Sequence, residues 1–365
     1  MFSDIRISVR LAVGIALTLL VVIVLMLPAV LGQLAVVTER AETRQLEDLH
    51  RTLQASVRDA SAHALLTITS IVNATGVTEA FAVHDRARLQ ALTLPIFEAL
   101  KRNHNISQFQ FHLPPATSFL RLHQLEKYGD DLQTFRATVV KANETLQPQI
   151  GLESGVAGLG LRGVVPVLLD GAHVGSAEIG ISFDQDFFDT FKAQYNAPTA
   201  LHVRANSEYR IFATTIAGKT TLKPAQVAEV MKGQTITSQV TIDGRDWAVM
   251  AKAVPDYSGQ PVAVAEILID RTDYVASRDR TLGRILLIGF FALIVGLLLA
   301  WLLSRSITKP IEQLTQAAGD ISRGKFEEKI FGAQRRDEIG DLARAIGRMS
   351  ASTKIAMERI KKASS

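Results

Sequence analysis

Cysteine is absent from all 365 residues. This excludes disulfides, thiolate zinc sites and cysteine nucleophiles, and leaves the compartment open. Metal spacing is missing as well. His63, His84, His104, His112, His123, His173 and His202 are scattered, and none forms the H-E-x-x-H pattern of a helical zinc site. "GLESG" (151–155) has no serine at its centre, and "GVAGLGLRG" (155–163) is a poor phosphate loop, so its glycines read as a bend or bulge. No kinase phosphate site or cyclase motif is present. The polypeptide is therefore expected to have no catalytic residue, metal or cofactor. An excess of one charge is lacking everywhere except at the end. Residues 1–304 hold 27 basic and 28 acidic side chains, whereas Arg305 onward holds 13 and 8. A basic tail can point to nucleic acid. Here it directly follows an apolar run, so no nucleic-acid partner is expected.

Long apolar runs are present twice. Leu11 to Gly32 has no charge and only Thr18 as a polar side chain. A bilayer core needs roughly 20 helical residues, so this run is long enough to span. A signal peptide is the alternative, with Arg6 and Arg10 as a basic flank, but its core is usually about 7–15 residues and ends in a cleavage site. Ile285 to Ser304 is the second uncharged run. Arg305, Lys309, Arg323 and Lys325 follow it, which places that flank in the cytoplasm. The expected layout has a cytoplasmic tail at 1–10, a first span at 11–32, an outer region at 33–283, a second span at 285–304 and a cytoplasmic end.

The outer region begins with a helical pattern. Leu46, Leu49, Leu53, Val57, Ala60, Ala64, Ile68 and Ile71 recur at steps of three and four, predicting one stalk helix over 34–72. Two β-rich stretches follow, 164–188 and 237–274. Each contains an Asp-Gly pair, Asp170-Gly171 and Asp243-Gly244, which favours a type I′ hairpin. Each ends on a similar strand, "AEIGIS" from Ala177 and "AEILID" from Ala265. "FQFH" (109–112) and "FLRLH" (119–123) read as earlier strands on either side of "LPPATS" (113–118). The expectation is two small antiparallel units, at about 75–189 and 190–276. This layout resembles the double Cache domains of bacterial receptors, which are PAS-like sensor modules outside the membrane. The resemblance implies an α+β fold and a small-molecule ligand.

Beyond the second run, Ile307, Ile311, Leu314, Ala318 and Ile321 form a coiled-coil seam. A second seam runs from Ile339 through Leu342, Ile346, Met349, Thr353 and Ala356 to Ile360. A connector of about 14 residues lets the two helices lie parallel, and two chains would then make a four-helix bundle. "KPIEQL" with Pro310 and Leu314, connector Gly324 with Phe326 and Ile330, and "DEIGDL" with Glu338 resemble a HAMP domain over 305–357. That resemblance implies relay of a conformational signal within a homodimer. The stretch 358–365 reads as the start of a helix that goes on.

One polar group stands out among the strands. Arg121 and His123 are two apart, the spacing of one sheet face, and Arg162 stands in an otherwise apolar strand. The pattern resembles the sensor domains of citrate and fumarate receptor kinases, implying a carboxylate held by Arg121, His123 and Arg162. The alternative is an internal salt bridge, for instance to Glu153 or Glu178. The expected function is a two-pass sensor of the bacterial inner membrane, of the methyl-accepting chemotaxis type. Downstream signalling partners are expected only if the natural chain continues past Ser365. The sensing half of a histidine kinase or nucleotide cyclase, and a dimeric membrane protein without a ligand, remain open.

Overall fold

The computed structural model describes residues 7–155, 158–205, 208–216, 220–325 and 330–363. Phe326, expected as an apolar connector residue, lies outside them. The chain divides into two compact units. Residues 37–274 form one unit. Residues up to 36, together with those from 275 onward, form the other.

The unit at 37–274 starts with the C-terminal part of helix α1 (Ile7–Val72). Its apolar seam is what the three-and-four spacing predicts: Leu46, Leu53 and Val57 enter one core, and Ala64, Ile68 and Ile71 enter another. A short helix α2 (Val77–Ala82) and a longer α3 (Arg86–His104) come next. The first sheet contains β1 (Ile106–Leu113), β2 (Thr117–Arg121), β3 (Gln149–Gly155), β4 (Gly158–Leu169) and β5 (Ala172–Ser182), with α4 (Ala137–Thr145) between β2 and β3. Helix α5 (Gln185–Tyr195) leads to the second sheet, which contains β6 (Thr199–Ala205), β7 (Glu208–Thr214), β8 (Ile236–Ile242), β9 (Arg245–Pro255) and β10 (Pro261–Asp270). Helix α6 (Pro224–Met231) lies between β7 and β8. The strand orders are β2-β1-β5-β4-β3 and β7-β6-β10-β9-β8, all pairs being antiparallel. The same five-strand topology is thus used twice.

Two expectations need correction. Asp170-Gly171 and Asp243-Gly244 both have positive φ, as type I′ turns require. They are not equivalent, however: the first joins β4 to β5, and the second joins β8 to β9. Turn chemistry is local and does not record which hairpin of a repeat it closes. Strand β2 also stops at Arg121, so His123 sits in the following turn and shares no strand with Arg121.

Each sheet presents one face to α1. In the first sheet, Phe109, Phe111, Leu120, Val165, Ala177 and Ile179 form this face with Ala64, Ile68 and Phe81. Gly163 permits the close approach, since a Cβ there would lie 2.3 Å from the Leu65 nitrogen. The opposite face carries the polar residues discussed below.

In the other unit, α1 and α7 (Thr272–Leu303) each contain a stretch long and apolar enough to cross a membrane. Gly289 and Gly296 of α7 face Ile23, Leu19 and Ile15 of α1, the small-residue contact that lets membrane helices pack closely. A π-helical turn (Ser304–Thr308) connects α7 to α8 (Lys309–Ser322), and α9 (Glu338–Ala363) follows. Pro310, in the first turn of α8, and Leu314 are buried, Gly324 has φ +79°, and Glu338 opens α9. Asp337 accepts the Gly340 N–H at 3.0 Å, satisfying one orphan donor of α9. Arg335, just before α9, donates to the Ser306 carbonyl just before α8 at 3.1 Å. At the far end Gly324 lies near Met357. Helices α8 and α9 therefore run parallel.

Candidate ligand-binding site

The polar face of the first sheet follows from its register. Gln108, Gln110 and His112 alternate on β1, Gln110 lies opposite Arg121 and Glu178, and Arg162 on β4 lies opposite Gly180. Directly paired residues share a face, so topology brings these side chains together. Of these, Gln108, Gln110, Arg121 and Arg162 floor a cavity of about 490 Å³. Its lining includes Arg121, His123, Arg136, Arg162, Gln108 and Asp130, so the three residues singled out in the sequence meet in one place.

The glycines near Arg162 do more than bend a strand. A Cβ at Gly160 or Gly180 would lie 2.7 or 2.1 Å from the Arg162 guanidinium. The guanidinium occupies a slot that any side chain would close.

Each guanidinium already has a carboxylate partner. Arg162 lies 3.2 Å from Glu178, and its Nη1 donates to Gln108 at 2.6 Å. Arg136 pairs with Glu178 and donates to Glu153 at 2.9 Å. Glu153 also accepts from the Thr138 N–H and hydroxyl, which ties the start of α4 to β3. Arg121 binds Asp130 through two hydrogen bonds of 2.7 Å each. Gln110 accepts from Arg121 at 3.1 Å and donates to Gln108 at 3.5 Å, linking the two sequence-predicted arginines across the floor. The internal salt bridge held open as the alternative is thus present for Arg162, with Glu178 as its partner, and Arg121 is paired with Asp130. An arginine cannot shed its charge, so burial obliges the fold to supply an anion.

The electrostatics are tightly coupled. Burial pushes the Glu178 carboxyl up, but Arg136 and Arg162 outweigh it and hold it well below its ordinary value. Burial also opposes the charge on Arg136, yet Glu178 and Glu153 prevail and raise its proton affinity. For Arg162 burial prevails, and its proton affinity falls. Burial lowers His112 to about 3 and His123 to about 4, so both are neutral at pH 7.

Sequence reasoning missed Arg136, Asp130, Gln108 and Gln110. Only the alternation of Gln108, Gln110 and His112 between buried phenylalanines carried a period-two signal. Arg136 and Asp130 lie between strand and helix, where spacing says nothing about tertiary position.

The second sheet provides an internal comparison. Glu266 occupies on β10 the position of Glu178 on β5, and His202 on β6 that of His112 on β1. His202 lies 3.0 Å from Glu266. The positions of Arg121 and Arg162 are held by Thr214 and Val249. Glu266 is satisfied by Thr220 and Thr221 at 2.6–2.8 Å, and Leu222, Val227 and Val230 pack against Ala251 and Val264 of the same sheet. The second unit keeps the buried carboxylate and the histidine, while its face is packed with apolar side chains.

Known proteins share both halves of this architecture. The dCache_3 family, described as "Double sensory domain of two-component sensor kinase", matches residues 39–275. The HAMP domain family matches 302–354. The methyl-accepting chemotaxis protein CtpH of Pseudomonas aeruginosa is 40% identical over 70 residues, 19% of this chain and 12% of that protein. An adenylate cyclase of Anabaena cylindrica is 30% identical over 105 residues, 29% of this chain and 21% of that protein. The chain thus aligns with only 12 to 21% of the length of these curated relatives. The sensory domain of the Campylobacter jejuni chemoreceptor Tlp3 with isoleucine bound aligns at TM-score 0.42 and 13% identity, covering 68% of this chain and 98% of that one. Matched over most of its length, the chain belongs to the dCache_3 family of double sensory domains and carries a HAMP region after its second apolar helix.

Proposed function

We propose that this chain is the sensing and relaying part of a two-pass receptor of the bacterial inner membrane. It binds a small carboxylate in the cavity of the first sheet, with Arg121 and Arg162 as clamps and His123 as a further hydrogen-bonding group. The observation that carries this reading is the contrast between the two units. Built on one topology, the first keeps arginines at a cavity, whereas among the described residues the second packs apolar side chains on the same face. Residues 33–283 lie outside the membrane. The basic residues Arg305, Lys309 and Arg323 keep the HAMP side in the cytoplasm. Two chains pair through the seams of α8 and α9, where Ile311, Leu342 and Met349 are exposed in the single chain. Pro310, Leu314, Gly324 and Glu338 relay the signal as a change of bundle packing. The output is of the chemotaxis type, in line with the match to CtpH. The adenylate cyclase match favours a cyclase output as the second reading.

A thermal-shift screen of the full chain in lipid nanodiscs, against small mono- and dicarboxylates, tests the ligand class. A ligand at 100 times its Kd stabilises the folded state by about 2.7 kcal/mol, a shift of several degrees. No shift with any carboxylate sinks the ligand reading.

A further inference from the structure

Three guanidiniums line the cavity together with Lys127 and the carboxylate of Asp130, and Glu153 and Glu178, outside that lining, pair with Arg136 and Arg162. Arg121 has all three of its nitrogens engaged, two of them by Asp130, so an incoming anion gains its fork only by displacing a carboxylate already in place. The three carboxylates differ in how readily they leave. Glu178 and Glu153 project from strands, with side chains 0% and 6% exposed. Displacing either would strand a buried anion without its partner. Asp130 belongs to the segment between β2 and α4, and its side chain is 37% exposed, whereas that of Arg121 is 7% exposed. Its backbone is held independently, its carbonyl accepting the Ser118 N–H at 3.0 Å. The carboxylate can therefore swing into water while the segment stays in place.

From this geometry we infer that Asp130 is a tethered competitor for the ligand: it occupies Arg121 in the free protein and is exchanged for the carboxylate of the incoming molecule. The inference rests on the first-sheet cavity being the ligand site. It adds a selection rule. Asp130 engages Arg121 through both oxygens, so a spherical anion replaces only half of what it displaces. A planar two-oxygen group replaces all of it. The exchange also weakens binding by the fraction of time that Arg121 is released. A released fraction of about one tenth lowers apparent affinity about tenfold.

The test is calorimetric titration of acetate and succinate into the full chain in nanodiscs, for the parent and for Asp130→Asn. Asparagine keeps the shape and one acceptor oxygen but removes the charge. The variant is expected to bind at least one of the probes on the order of tenfold more tightly, and Arg121→Ala in the same background is expected to abolish the gain. Unchanged or weaker binding by a folded Asp130→Asn protein overturns the inference, whether or not the parent binds. If the parent binds neither probe and the variant gains binding, the competitor role stands and the carboxylate reading of the natural ligand fails for these probes. If Asp130→Asn melts early, acetate is expected to restore its melting temperature more than equal sodium chloride does. Equal restoration by the two salts means that Asp130 is a structural clip, and the inference fails.

Discussion

Glu178 is a fully buried carboxylate serving both Arg136 and Arg162, with His112 3.7 Å away. Removing one side of such an arrangement leaves uncompensated buried charge, at a cost of about 3–5 kcal/mol. Glu178→Gln is therefore expected to lower unfolding stability in urea by that amount. Glu266→Gln, whose partners among the described residues are hydroxyls, an amide and a histidine, should lose less. A smaller loss at Glu178 than at Glu266 would contradict this account of the two sheets. Acid acts through the buried histidines. Burial holds His50 at about 4 and His112 at about 3, below the unfolded value of about 6.5. The unfolded state thus takes up protons first. Stability is full above about pH 6.5 and falls as pH drops toward the folded values, by up to about 1.4 kcal/mol per pH unit for each histidine. Urea titrations between pH 7 and 4 should show this slope, and a flat profile would count against burial of these rings. The sequence exposed some of this and hid the rest. A lone arginine in an apolar strand marked Arg162 and made Glu178 a candidate partner. Nothing in the sequence marked Arg136, which reaches the site only because α4 packs on the sheet. Gly160 lies two before Arg162 and hence on its face, a signal of the slot that local turn reasoning obscured.

Among the elements, helices were the most legible. The three-and-four seam of α1 is its buried stripe, and the seams after the second apolar run mark α8 and α9. Repetition of the sheet was legible from the two similar closing strands, but pairing of the hairpins was not, because Asp-Gly recurs wherever a tight turn is needed. Two predictions belong at this scale. Gly340 sits where a Cβ would lie 2.1 Å from the Arg335 carbonyl, next to the hydrogen bonds from Arg335 to Asp337 and Ser306. Gly340→Ala should displace Arg335 and destabilise the start of α9 by about 1–3 kcal/mol. Faster amide exchange at Gly340 and Asp341 would report this, and unchanged exchange would contradict it. Absence of cysteine makes the second test clean. A single cysteine at Ile311, whose side chain is exposed on the seam, should cross-link two chains under mild oxidation, whereas one at Gln313 should not. Equal cross-linking at the two positions would argue against pairing along this seam.

For the molecule as a whole, the account assigns sensing to the unit at 37–274 and relay to the helices that follow. Topology follows from it. Glu208→Cys, on an exposed strand position, should react with an impermeant maleimide on intact spheroplasts. Met357→Cys, exposed on α9, should react only after permeabilisation. Reversed labelling would overturn the orientation. The central claim is that the first unit binds a small carboxylate and the second does not. Calorimetry of the full chain in nanodiscs, with whichever carboxylate gives the largest thermal shift, tests it most directly. The account predicts one site per chain, with binding lost in Arg162→Ala and kept in Glu266→Gln. Binding that survives Arg162→Ala in a folded protein, or is lost only in Glu266→Gln, would contradict it.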